Sequence, residues 1–250
     1  MFPTFWSFLS LLLLTNLLPG QWVNASANST PTRYVGKMVA FYRDGSIRVA
    51  SGVLVGPRHV LTAGHALFQK NLKWQGRPSS EWSPVTIMFT PGQQGSAAPF
   101  GSANATSWSI SATFLAGTDQ TRDVGIMRLN RALAANTGGY ASIGLWNNSW
   151  TYDVTVYGYP ASSEWPKKQS FAAMNDLRSY SPWNSWHEWW SVANLTGLGG
   201  VSGGPAMTGN TVLGVFCGQT GAGWLLPYLR GFRMTPTPRS EILAWIANRP

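Results

Sequence analysis

Two short stretches carry residue types that could do chemistry together. Residues 197–207, GLGGVSGGPAM, hold one serine, Ser202, among five glycines, and the stretch LTAGHA, residues 61–66, carries His65. A glycine-rich loop can cradle a phosphate, act as a spacer, or turn sharply enough to present a hydroxyl. The phosphate loop needs a lysine after its glycines and a helix beyond. Here no lysine follows, and the downstream run TVLGVFCG reads as a strand. A bare spacer is a poor fit too, because Pro205 stiffens the exit and apolar runs follow closely. That leaves a turn presenting Ser202.

A serine hydroxyl becomes a useful nucleophile when a base can take its proton, and the base works best when a carboxylate orients it. Gly200–Gly204, GVSGG, also fits the G-x-S-x-G elbow of α/β-hydrolases, whose acid and histidine follow the serine. After Ser202 there is no histidine and only one acid, Glu241, so that fold is excluded. The order must be histidine, acid, serine. His59, His65 and His187 all precede Ser202. His59 follows the turn signal GPR and reads as an exposed turn residue, while His187 lies in WNSWHEWW, where stacking among tryptophans is the alternative to catalysis. Seven acids fall between His65 and Ser202: Glu81, Asp119, Asp123, Asp153, Glu164, Asp176 and Glu188. Asp123 heads the apolar run DVGIMRL, where a carboxylate is costly to bury without a partner such as an imidazole. Asp119, in AGTDQTRD, suits a turn cap.

The elements that must position these groups are mostly strands. From Val35 onward, short apolar or alternating runs are punctuated by turns: VGKMVAFY, IRVASGVLV, HVLTA, SPVTIMF, SWSISATF, DVGIMRL, YDVTVYGY, TVLGVFCG and GFRMTP. This spacing predicts an all-β sandwich or barrel. Turn formers cluster over residues 130–142, NRALAANTGGYAS, a natural break between two β units. TPRSEILAWIANRP has helical spacing and a Thr-Pro start, predicting a helix at 237–248.

Composition narrows the class further. Residues 5–18 form an apolar run of 14, short of the roughly 20 needed to span a bilayer. We read residues 1–27 as a secretory signal, cut between Gly20 and Ala27, so a secreted, extracellular protein without a stable membrane anchor is expected. Only 11% of residues are charged, and secretion gives meaning to the N-x-S/T triplets at Asn24, Asn28, Asn104, Asn147 and Asn194, where glycans could solvate the surface. The net charge of +9 is scattered, with no basic stripe of the nucleic-acid-binding kind. Cys217 is the lone cysteine, which excludes an internal disulfide and any cysteine-rich metal site. It sits in an apolar run and reads as a small buried hydrophobe.

Three segments together resemble the trypsin-like serine peptidases of the chymotrypsin fold: SGVLVGPRHVLTAGHAL, RDVGIMRLN and GLGGVSGGPAM. GFRMTPTPRSEILAWI is similar to the family's last strand and terminal helix. The resemblance covers most of residues 35–248. It implies two antiparallel six-stranded β-barrels, at 34–137 and 138–236, followed by the helix at 237–248. It also implies a triad of His65, Asp123 and Ser202, and an oxyanion hole built from the N–H groups of Gly200 and Ser202. The specificity pocket would lie near Thr196, Gly197, Phe216 and Gln219, with no charge and hence an uncharged P1 side chain.

The departures are informative. Ala50 and Ala66 stand where the family usually has a cystine. Val201 stands where many members have an aspartate that binds the new N-terminus on activation, which resembles the glutamyl-endopeptidase-like branch. That branch reads glutamate with a histidine, and the matching residue here is Phe216. Arg33, in RYVG, could still mark removal of a pro-segment. The expectation is a monomeric endopeptidase acting on protein or peptide substrates without metal or organic cofactor. An esterase using the same triad and a non-catalytic binding homologue are the alternatives.

Overall fold

The computed structural model describes residues 23–69, 73, 75–146, 151–161, 166–175, 189–192, 199–219 and 229–248. Two β systems account for most of it. Six strands, β2 (Val35–Phe41), β3 (Ile47–Leu54), β4 (His59–Thr62), β5 (Thr86–Pro91), β6 (Ala103–Ile110) and β7 (Gly125–Leu129), close a barrel in the order β2-β3-β4-β7-β6-β5. Leu61 pairs with Val53 on one side and Ile126 on the other. Met38, Val53, Leu54, Val60, Leu61, Ile87, Phe89, Met127 and Leu129 are fully buried in this region. Burying a side chain of this size contributes about 1.5–3 kcal/mol, so the apolar alternation read from the sequence is also the main driving force.

The second system is an eight-stranded sheet. It contains β1 (Val23–Asn24), β8 (Ser142–Ile143), β9 (Thr151–Gly158), β10 (Lys167–Asn175), β11 (Trp189–Val192), β12 (Pro205–Thr208), β13 (Thr211–Gln219) and β14 (Leu229–Arg233). The strands run β1-β10-β11-β14-β13-β12-β9, β8 lies parallel to β13, and β10 also pairs with β9. Between β7, the last barrel strand, and β8, the first strand on the second sheet after it, lie residues 130–141, whose middle forms a helical turn at Ala134–Thr137.

A helix at Pro236–Ala247 closes the chain, entered from Thr235 with proline in its first turn, where a missing N–H costs nothing. Pro238 and Ile242 are its buried residues, and Trp245 and Ile246 pack against the core. No helix among the described residues is long and apolar enough to cross a membrane.

Two local readings are corrected. The run SWSISATF is not one strand: β6 ends at Ile110, and Ala112–Ala116 is helical, burying Phe114. His59 is not an exposed turn residue but the buried first residue of β4, paired with Arg128. The apolar N-terminal run lies outside the described residues, but Val23–Asn24 already form a strand against Lys167 and Lys168, and Ala25 and Ala27 are buried.

Candidate active site

The histidine segment leaves β4 at Thr62 and turns into a 3-10 helix at Gly64–Leu67, lifting His65 off the barrel end. Asp123 sits just before β7, the strand paired with β4, so barrel register alone brings the two together. Asp123 Oδ2 lies 2.6 Å from His65 Nδ1, and Oδ1 accepts the His65 backbone N–H at 2.8 Å. Both carboxylate oxygens thus hold one residue, fixing the position and the plane of the imidazole. The Asp123 side chain is 9% exposed and that of His65 31%, so the ring reaches solvent while its partner does not. With Nδ1 on the carboxylate, Nε2 is the nitrogen left to exchange a proton. Asp119 takes the structural part, accepting bonds from the Thr121 N–H and hydroxyl.

Cys217 closes the back of this pair. Its Sγ donates to the Asp123 carbonyl oxygen at 3.3 Å, and burial first, then the Asp123 charge, push the thiol's pKa well up. Ala50 and Ala66 are both buried in the core cluster.

The serine segment is held mainly by its backbone. The Gly203 N–H donates to Phe216 O at 2.7 Å, Gly204 N–H to Val201 O at 2.8 Å, and Ala161 N–H to Gly199 O at 2.6 Å. The bond between Ser51 N–H and Ser202 O, at 2.7 Å, ties the segment to β3 of the barrel. Gly203 has φ +88°, and a Cβ there would overlap Thr62 Oγ1 and Ser51 O and crowd Ala63 N. Only glycine fits on both counts. The residue after Ser202 is therefore pressed against the residues leading into His65. Gly200 has φ +92° and lies against the backbone of Tyr159 and Ala161. Val201 is fully buried, and as a valine it offers no carboxylate at that position to attract an amine. Ser202 itself is half-buried.

Of the pocket expected near Thr196, Gly197, Phe216 and Gln219, the first two lie outside the described residues, as does His187. Phe216 is buried in β13, with its backbone bonded to Gly203 and Gly204, and Gln219 ends the same strand. Sequence reasoning passed over Ser51. A lone serine in the run ASGVLV gives no signal, because its partners lie more than a hundred residues away.

No protein-family model matches the chain. A glutamyl endopeptidase of Bacillus licheniformis is 30% identical over 125 residues, which are 48% of this chain and 36% of that protein. The match therefore spans about a third of its relative's length. Among solved structures, a Glu endopeptidase in complex with MPD superposes with TM-score 0.73 at 16% identity, covering 92% of this chain and 98% of that one. The protease Anisep from Arthrobacter nicotinovorans gives TM-score 0.66 at 24% identity, covering 87% and 96%. The chain resembles the trypsin-like, chymotrypsin-fold serine peptidases, in sequence over about half its length and in fold over nearly all of it.

Proposed function

We propose that the chain is a secreted serine endopeptidase. The observation that carries this reading is the pair of hydrogen bonds that join Asp123 to His65, beside a serine turn pressed against the same 3-10 entry. His65 Nε2 takes the Ser202 hydroxyl proton as Oγ bonds to the scissile carbonyl carbon, and Asp123 stabilises the imidazolium that forms. The oxyanion rests on the N–H groups of Gly200 and Ser202. On collapse the C–N bond breaks, Nε2 returns the proton to the leaving amine, and an ester to Ser202 remains. Water, deprotonated by the same imidazole, then hydrolyses it. The second sheet serves as the second six-stranded barrel, a reading supported by the pairings β9-β10-β11-β14-β13-β12 and β12 back to β9. The domains are 34–137 and 138–236.

Phe216, buried and apolar, speaks against the preference that the relative's name announces, so P1 is an uncharged side chain. The packing of Ala25 and Ala27 favours signal cleavage on the Gly20 side of its window. Asn24, Asn28 and Asn104 are exposed and open to glycosylation.

The test is labelling with a fluorophosphonate followed by peptide mapping. Stoichiometric modification of Ser202, lost in His65→Ala, together with cleavage of peptide amides, supports the proposal. Labelling with ester but no amide turnover would make the chain an esterase, and no labelling a binding homologue.

A further inference from the structure

Ser51 is fully buried in β3, and a hydroxyl there is costly unless bonded. Its Oγ donates to Gly200 O at 2.8 Å and accepts the Tyr159 N–H at 2.8 Å, while its own carbonyl accepts the Thr62 hydroxyl at 2.7 Å. With the Ser51 N–H on Ser202 O, every carbonyl from Gly199 to Ser202 has a partner. The partners are Ala161 N–H, Ser51 Oγ, Gly204 N–H and Ser51 N–H in turn. A peptide plane whose carbonyl is held cannot turn the N–H of the next residue, so the bonds to Gly199 O and Val201 O fix the Gly200 and Ser202 N–H groups, and the bond to Gly200 O fixes the plane between them. Of the four holds, the one on Gly200 O alone comes from a side chain. It also falls on Gly200 itself, which has a positive φ and, lacking a Cβ, a backbone free to flip.

Resting on the serine-peptidase reading, we infer that Ser51 is a positioning residue for the oxyanion hole: from the first barrel, its hydroxyl locks the Gly200–Val201 peptide, the link between the two peptides that carry the Gly200 and Ser202 N–H groups, so that both donors stay aimed at the developing charge. This lock needs no newly cut N-terminus. Val201 offers an amine no partner, and Arg33 is engaged where it stands, its guanidinium donating to Asn28 O at 2.7 Å.

The experiment compares wild type, Ser51→Ala and Ser51→Cys, the last keeping size with a weaker donor. Each is assayed well below its own melting temperature for kcat and KM on a peptide amide, inhibition by a peptidyl boronic acid, and the pH–rate profile. Removing an oxyanion donor outright costs on the order of 10²–10³ in kcat, and loosening one is expected to cost less. In Ser51→Ala we expect kcat to fall about 10-fold or more, boronate affinity to fall in parallel, and KM and the imidazole limb of the profile to stay put. Ser51→Cys should fall in between. A lowered melting temperature with kcat and boronate affinity unchanged overturns the inference, because Ser51 would then only hold the fold. Wild type labelled at Ser202 while Ser51→Ala behaves identically overturns this inference alone. Wild type left unlabelled overturns the peptidase reading and this one with it.

Discussion

In the first barrel, His65 is held by a side chain: one buried carboxylate spends both oxygens on it. On the other side, Ser202 is held by its own main chain, with successive carbonyls pinned by backbone N–H groups and the Ser51 hydroxyl. On the proposed peptidase reading, the difference follows from what each must do. A proton shuttle needs its ring plane and tautomer fixed, and a charged acceptor at Nδ1 does that. A nucleophile whose neighbouring amides must also bind charge needs rigid peptide planes, which backbone bonding and glycine provide.

Removing the two functional groups breaks the comparison most directly. Ser202→Ala should abolish labelling and cut turnover by roughly 10⁶-fold, and Asp123→Asn by roughly 10⁴-fold with the fold intact, read by single-turnover kinetics and circular dichroism. Double variants should cost little more than Ser202→Ala alone, since the groups act as a unit.

Gly203→Ala attacks the main-chain side. The residue must keep a positive φ and push Thr62 and the Ser51 carbonyl away. We expect a loss of at least about 2 kcal/mol in chemical denaturation, with labelling slowed further than the stability loss explains.

Cys217 sharpens the carboxylate side. Its thiol should resist aromatic disulfide reagents in the folded protein and react on unfolding, because its raised pKa keeps it protonated. The folded state therefore holds a proton that the unfolded chain releases above the ordinary thiol pKa. This group's contribution to stability is present below that pKa and declines as pH rises beyond it. Cys217→Ser should flatten that decline in melting curves between pH 8 and about pH 10.

The smallest effect is expected at Glu241, on the C-terminal helix, 3.3 Å from Arg122 Nη1. Burial raises its pKa more than Arg122 lowers it. Glu241→Gln should change stability by no more than about 0.5 kcal/mol and leave kcat unmoved.

Some of this organisation is written locally and some is not. Strands such as DVGIMRL and TVLGVFCG announce themselves because one residue in two meets the core, and the final helix declares its start at Thr235 and Pro236. A carboxylate heading an apolar strand made Asp123 a candidate among seven acids, and the resemblance of its segment is what pairs it with His65 in the sequence. The helical turn at Ala112–Ala116 was hidden by β-branched and aromatic neighbours that read as strand. The two-residue strand Val23–Asn24 has no pattern to read, being specified by β10 alone. Ser51 was silent for the same reason: its worth lies in Gly200 and Tyr159, which no window around it contains.

The first and last described elements cross between the two β systems. Val23–Asn24 lie on the second sheet before the chain enters the barrel at Val35, and the helix that follows the second sheet reaches Arg122 beside the barrel's carboxylate. Each half is thus touched by a segment continuous with the other, and separating them undoes both contacts together. Heat should accordingly melt the molecule in one calorimetric step, and either half produced alone should fail to hold its shape.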